Sequence, residues 1–252
     1  MPFALVQLTD PHLGARWSTT AASGLAAAVG AVGRTLGRVP DAVVVTGDIA
    51  STPTDAEYAE ARTLLDGLGA PVHVIPGNHD DRDGLRRHFD FPRTQAGTLS
   101  YALELGPIRL VALDSTEPGS DGSGRVDAAR LQWLEETLSA DERAPTVLAM
   151  HHPPLATGFP AMDAIGIPDD ERRALADIVA RHPQVQVIIA GHVHRAIIGA
   201  VGAATVLAIP STDVQLALEL QPGELQPVPE PPCFAIHVLV DGRIVSHIQP
   251  VL

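Results

Sequence analysis

Apolar residues along this chain fall into short, nearly continuous runs separated by longer stretches of helical periodicity. Phe3 to Leu8, Ala42 to Thr46, Val72 to Ile75, Ile108 to Leu113, Thr146 to Met150 and Val185 to Ala190 are the runs of the first two-thirds. Their lack of strict alternation predicts strands covered on both faces. Between them, Ala21 to Leu36, Asp55 to Leu68, Asp127 to Leu138 and Asp169 to Arg181 carry helical spacing. Thr54 and Asp127 are among the residues that supply start signals for these helices. Strand–helix alternation of this kind predicts a layered α/β fold with a largely parallel sheet. After His194 the pattern shortens to four closely spaced runs, Ala196 to Val201, Ala204 to Ile209, Phe234 to Val240 and Arg243 to Ile248. Asp241-Gly242 predicts a hairpin between the last two. The expectation is that these antiparallel strands complete a second sheet. Gln221 to Pro232, with five prolines, is expected to be a loop or arm and not an element. The whole of 1–252 is expected to form a single domain, with 200–252 supplying the C-terminal strands and the Pro-rich arm.

Composition narrows the functional classes. Hydrophobic residues at 45% and charged residues at 19% describe a globular chain, and aromatics at 4% leave the core to Ala, Val, Leu and Ile. A net charge of -13 repels polyanions, which argues against duplex nucleic acid or an anionic membrane as partner. Cys233 is the one cysteine, so neither an internal disulfide nor a thiolate metal cluster is available. No basic and apolar leader precedes Phe3, and no run of about 18 apolar residues occurs, so the expected location is the cytoplasm.

The chemistry lies at the ends of the apolar runs. The first run ends in Asp10-Pro-His12, the second in Asp48 and the third in Asn78-His79-Asp80. The fifth ends in His151-His152 and the sixth in His192-Val-His194. Carboxyl ends of parallel strands share an edge, so the fold gathers these residues into one cluster. Gly47, Gly77 and Gly191 are expected to permit the sharp turns involved. Carboxylate, imidazole and amide donors without sulfur suit Mn, Fe or Zn. Seven such ligands exceed one tetrahedral ion, and with a shared carboxylate they satisfy two. Paired metals clamp both attacking and departing oxygens in phosphoryl displacement.

In order and approximate spacing, D-P-H, G-D, G-N-H-D, H-H and G-H-V-H resemble the calcineurin-like metallophosphoesterase superfamily, from Met1 to about Ala200. The resemblance implies a four-layer α/β-β/α sandwich, two mixed sheets flanked by helices. It implies that Asp10, His12 and His194 hold one metal, that Asn78, His151 and His192 hold the other, and that Asp48 bridges them. It further implies two divalent or trivalent ions with a bridging hydroxide, and His79 as the outer-sphere histidine on the phosphate, oriented by Asp80. Asn78 and His79 are the expected substrate contacts, and His152 is expected either to reach the substrate or the far side of the ligands, or to serve in packing. D-x-H, H-H-P-P-L and the Ile209 to Thr212 stretch resemble the bacterial branch of class III cyclic-nucleotide phosphodiesterases and glycerophosphodiesterases. The expected substrate is therefore a small organic phosphodiester, first a 3′,5′-cyclic nucleotide. A glycerophosphodiester, a broad range of esters including monoesters, and a non-catalytic scaffold are the alternatives.

Other residues carry weaker expectations. His73, His88, His182, His237 and His247 sit beside no second ligand type and are assigned to packing. Arg16 and Trp17 follow the first ligand pair closely enough to reach substrate, with surface packing as the alternative. Pro153 to Asp170, with Gly158, Phe159, Met162 and Ile165, is expected to border the site as an apolar loop favouring diesters. The late strands and the Pro-rich arm offer a surface for pairing as a homodimer. The acidic balance counts against a nuclease, and the H-x-H-x-D-H cluster of a metallo-β-lactamase-type hydrolase is absent.

Overall fold

The central apolar runs become strands because hydrophobic layers cover both of their faces. The computed structural model describes residues 1–252. Along the chain the first elements are β1 (Ala4–Leu8), α1 (Ala21–Leu36), β2 (Ala42–Val45), α2 (Asp55–Asp66), β3 (Val72–Val74) and α3 (Arg82–His88). The middle carries β4 (Tyr101–Leu105), β5 (Ile108–Ala112), α4 (Ala128–Ala140), β6 (Thr146–Ala149), α5 (Pro160–Asp163), α6 (Asp169–Arg181) and β7 (Val185–Ala190). The last are β8 (Ile197–Val201), β9 (Ala204–Ala208), β10 (Gln215–Leu216), β11 (Pro227–Val228), β12 (Cys233–Val240) and β13 (Arg243–Pro250).

Two mixed sheets result, ordered β13-β12-β1-β2-β3 and β4-β5-β6-β7-β9-β8. β1, β2 and β3 run parallel in the first, as do β5, β6, β7 and β9 in the second. Antiparallel strands flank both parallel cores. Side-chain alternation sets the layers. Ala4, Val6 and Leu8 of β1 pack with Leu25 and Val32 of α1 and Tyr58 and Leu65 of α2. Leu5 points the other way, into a layer shared with Leu110, Val147 and Ile189 of the second sheet. On that sheet's far side, Val111, Leu148 and Ile188 meet Leu134 and Leu138 of α4 and Leu175 and Val179 of α6. The order helix, sheet, sheet, helix is thus the expected four-layer sandwich. Each fully buried Leu or Val contributes on the order of 1.5–3 kcal/mol.

Local signals set the helix boundaries. Thr54 accepts from the Glu57 backbone N–H at 3.3 Å and Glu57 returns a bond to the Thr54 N–H, a reciprocal cap at the start of α2. Asp127 accepts from Arg130 N at 3.0 Å at the start of α4. Asp241 and Gly242 both adopt positive φ in the tight turn between β12 and β13, as their sequence predicts.

The structure corrects the reading of the C-terminal strands. Only β8 and β9 enter the second sheet, and β9 lies parallel to β7. β12 and β13 instead join the first sheet, where β12 pairs antiparallel with β1. The runs themselves do not encode which sheet edge they meet; the open edge of β1 decides it. The Pro-rich stretch is also not wholly irregular, because Pro227-Val228 pairs with Gln215-Leu216. No helix is long and apolar enough to cross a membrane.

Between the sheet edges, Asp114 is fully buried and lies 2.7 Å from the Arg82 guanidinium, while accepting from the backbone N–H groups of Leu99 and Thr116. Asp114→Ala leaves Arg82 Nε and these two backbone donors without their acceptor, and is expected to cost about 3 kcal/mol, read as a lowered urea midpoint.

Candidate metal centre

Five strand ends, three from the first sheet and two from the second, meet where the two sheets' carboxyl edges face one another. The meeting point is thus a junction between sheets and not the edge of one. Backbone bonds align the loops after β1 and β2, with Asp10 N donating to Gly47 O and His12 N to Asp48 O, both at 3.0 Å. Asp10, His12, Asp48, His192 and His194 all adopt positive φ, between 46° and 69°. Such a conformation is costly for residues with a Cβ and concentrates at functional sites. Gly47 needs its freedom outright, at φ 95°. Gly77 and Gly191 answer to close approach instead of turning: an added Cβ would lie 2.1 Å from Asp48 Oδ1 or 2.0 Å from Thr9 Oγ1.

The side chains converge as two groups sharing a corner. His12 Nε2 and His194 Nε2 stand 3.1 Å apart, and His194 Nε2 is 3.5 Å from Asp10 Oδ1. In the other group, His151 Nε2 and His192 Nδ1 each lie 3.0 Å from Asn78 Oδ1. Asp48 joins them. Its Oδ2 is 3.5 Å from His12 Nε2 and 3.4 Å from His151 Nε2, while its Oδ1 accepts from the His79 backbone N–H at 2.8 Å.

Backbone carbonyls turn these imidazoles to one use. Thr46 O accepts from His151 Nδ1 at 2.8 Å, and Val214 O accepts from His194 Nδ1. In both rings Nε2 is left free to bind a metal, an arrangement that carbonyl acceptors on the other nitrogen commonly impose on metal-binding histidine. His192 Nε2 and His12 Nδ1 are buried without a partner. Close-set nitrogen and oxygen acceptors, crowded lone pair to lone pair, fit a pair of metal ions.

The electrostatics agree. Burial opposes the charge on Asp10 and on Asp48, but the facing histidines, His194 and His151 respectively, hold both carboxyls below their ordinary range. Burial likewise opposes protonation of His151, yet Asp48 lifts it to about 9. His12, where burial dominates, drops to about 4. Two buried carboxylates, kept ionised by the histidines that face them, give a floor suited to cations.

Not every expected role matches its placement. Asp80 does not touch His79. Its Oδ2 accepts from Ile49 N and Gly77 N, and its Oδ1 from Ala50 N and the Tyr58 hydroxyl, so it fastens the turn after β3 to the turn after β2. Burial, reinforced by the charge of Asp48, raises it to about 6. The Ser51 carbonyl, 3.2 Å from Nδ1, is what orients the His79 ring. His152 is fully buried behind the centre, its Nδ1 2.9 Å from Ser115 Oγ and its Nε2 3.0 Å from Gly122 O. With both nitrogens engaged and no place in the cavity wall, it does not fit a direct substrate contact; burial first, then His151, lowers it to about 3.

A cavity of about 330 Å³ opens over His12, Asp48, Asn78, His79, His192 and His194. Trp17 forms part of its wall, its ring 5.5 Å from His12 and 5.8 Å from His79, whereas Arg16 is exposed outside it. Met162 and Ile165 bring in the expected apolar loop. Leu225 and Pro227 bring in the Pro-rich arm, which sequence reasoning did not connect to the site, because nothing in a proline-rich run encodes where it folds back. The carbonyls of Thr46, Ser51 and Val214 were equally invisible, since any residue supplies one. The histidines assigned to packing lie elsewhere: His88 meets Asp55, His182 meets Glu135, His237 meets Gln7 and Ser246, His73 is half-buried on β3, and His247 is exposed.

Comparison with known proteins agrees with this geometry. The calcineurin-like phosphoesterase family profile matches residues 3–196. The chain belongs to that family. It is accordingly a metal-dependent phosphoric ester hydrolase. It is 35% identical to a probable glycerophosphodiester phosphodiesterase from Arcobacter nitrofigilis over 79% of this chain and 73% of that one. It is 33% identical to a probable cyclic nucleotide phosphodiesterase from Synechococcus, covering 88% and 89%. With a 3′,5′-cyclic adenosine monophosphate phosphodiesterase from Pseudomonas aeruginosa it shares 34% identity, covering 84% and 77%. The crystal structure of a dimetal phosphatase from Danio rerio shares the fold, with TM-score 0.74 at 18% identity, covering 100% of this chain and 98% of that one.

The shared corner makes a stoichiometric prediction. Asp48→Ala is expected to lower total bound metal toward zero, whereas Asn78→Ala lowers it toward one ion per chain, as measured by elemental analysis of purified protein. Equal metal content in the two variants would contradict the two-group arrangement.

Proposed function

We propose that this chain hydrolyses small organic phosphodiesters, with 3′,5′-cyclic nucleotides first among them, at two metal ions held by Asp10, His12, Asp48, Asn78, His151, His192 and His194. The observation that carries the reading is the pair of donor groups joined at Asp48 Oδ2 and opening into a cavity with an apolar wall. Trp17, Met162, Ile165 and Leu225 offer an uncharged surface beside the donors, which supports an ester bearing an organic group over a bare phosphate. The phosphodiesterase names of the relatives support the same substrate class. The sulfur-free donor set favours Fe, Mn or Zn. When bound, such ions activate water and stabilise charge on the phosphoryl oxygens.

The chain's own groups divide the remaining work. Asp48, anchored through Oδ1 by the His79 N–H, keeps the two metal positions at fixed separation. Asn78 closes one position with a neutral oxygen and so preserves positive charge for the anionic ester. His79, its Nδ1 held by Ser51 O, directs Nε2 toward the substrate, where it hydrogen-bonds a phosphoryl oxygen and delivers a proton to the departing alkoxide. Asp80 acts on this group at one remove, by locking the two turns that carry Asp48 and His79.

The test combines a variant with two substrates. The protein is expected to turn over bis(4-nitrophenyl) phosphate with higher kcat/KM than 4-nitrophenyl phosphate, and to hydrolyse cyclic AMP. His79→Ala is expected to lower kcat on the diester by about 10²-fold or more with metal content unchanged. Preference for the monoester would refute the diesterase reading, and full activity of the variant would refute the role of His79.

A further inference from the structure

The layer between the two sheets is apolar, built from side chains such as Leu5, Val44, Val147 and Ile189, yet a line of polar groups crosses it. At its centre is Gln7 of β1, fully buried. The amide Nε2 of Gln7 donates to Thr46 Oγ1 and to Ala190 O, both at 3.0 Å. Its Oε1 lies 3.2 Å from His237 Nε2, and His237 Nδ1 lies 2.8 Å from Ser246 Oγ. None of these side chains is a metal ligand, and the proposed chemistry uses none of them.

The direction of each bond follows from what its ends can do. Ala190 O only accepts, so the nitrogen of the Gln7 amide faces it and the oxygen faces His237. His237 Nε2 therefore carries the ring proton, and its Nδ1 accepts from the Ser246 hydroxyl. Burial drops His237 to about 4, which keeps the ring neutral as this arrangement needs. Both amide hydrogens and the amide oxygen of Gln7 are thus engaged. Polar groups in an apolar layer are costly unless satisfied; once satisfied, they fix one arrangement where apolar contacts allow several.

What Gln7 ties together are two strand ends that carry ligands. Thr46 stands two residues before Asp48 on the first sheet, and Ala190 two residues before His192 on the second. The Thr46 carbonyl in turn accepts from His151 Nδ1 at 2.8 Å. One amide therefore spans the sheets beneath His192, beneath the shared Asp48 and beneath the carbonyl that turns His151. In the other donor group, the His194 ring is turned by Val214 O, which this line of bonds does not touch. From this unequal reach we infer that Gln7 is a positioning residue for the metal position formed by Asn78, His151 and His192, with His237 fixing the direction of its amide. The inference rests on the two-metal reading above. It gives the β12–β13 hairpin a part in the centre although the hairpin supplies no ligand.

The experiment equilibrates manganese-loaded protein against rising concentrations of a chelator and reads retained metal by elemental analysis. The unaltered protein is expected to start with two ions. Gln7→Leu is expected to release one of them at about tenfold lower chelator, the scale for partners of metal ligands, and the other at the unaltered concentration. In an Asn78→Ala background, the single remaining ion is expected to leave at the same point with or without Gln7→Leu. Thr46→Val keeps the carbonyl and the volume of the side chain, and is expected to shift the same ion by about threefold. Gln7→Leu combined with His237→Leu removes both ends of the broken bond. Its urea midpoint is expected to return toward that of the unaltered protein while the ion stays weakly held. Neither ion shifting, both shifting equally, or affinity returning together with the midpoint overturns the positioning role and leaves the two-metal reading intact. Thr46→Val decides the matter even where Gln7→Leu does not fold, since no shift in that variant also overturns the role. One ion per chain in the unaltered protein overturns the two-metal reading and this inference with it.

Discussion

The two oxygens of Asp48 are held to different tasks, and much of the molecule is arranged around that division. Oδ1 takes the His79 backbone N–H, which fixes the carboxylate plane, and Oδ2 is then the one atom facing histidines from both donor groups. For this to happen the turn after β2 must lie against the turn after β3 with no Cβ between them, so Gly77 is required by Asp48 itself. The left-handed backbone at Asp10, His12, Asp48, His192 and His194 is the energetic cost of aiming so many side chains at one point. It is offset by the buried sheets beneath, whose packing leaves the strand ends little freedom to relax.

Burial sharpens the electrostatics of this centre. An acidic chain would ordinarily repel an anionic ester, but the carboxylates that matter here are turned inward and matched to cations, while the cavity wall beside them is uncharged. Affinity for the phosphate is therefore set locally, and net charge bears mainly on solubility and on which polymers stay away. Asp80 shows the same logic applied to structure. Four donors converge on a carboxylate that burial and Asp48 both discourage from ionising, and it serves as a rivet between turns.

Legibility in the sequence depends on which interactions are local. Strands β1, β2, β6 and β7 announce themselves because both faces are buried and their residues are apolar almost throughout. Their terminal ligands were legible for the same reason, as abrupt polar groups at the ends of apolar runs. The missed elements are those whose stability comes from elsewhere. α3 is short, its start set by Asp81 accepting from Gly84 N at 2.6 Å, and β4 alternates weakly along the edge of its sheet. The destination of β12 and β13 depended on an unfilled edge far away in the chain. The same division holds at the site: the side chains at the strand ends are legible in the sequence and the structure brings them together, whereas the carbonyls that orient them, and the partners of Asp80 and His152, depend on tertiary placement.

The pairing of β1 with β12 has a consequence for how the protein comes to exist. Ala4 meets Val238 and Gln7 meets Ala235, so the strand that delivers Asp10 and His12 completes its hydrogen bonding only with residues from the far end of the sequence. Its other neighbour, β2, is close by. A nascent or partly folded chain therefore presents β1 with one edge bare, and closing the long intervening loop makes this among the slowest contacts to form. Until then the apolar edge is open to strands of other molecules, and aggregation competes with completion. Assembly of the metal centre and protection of that edge are in this sense a single event, timed by the arrival of the C-terminal hairpin.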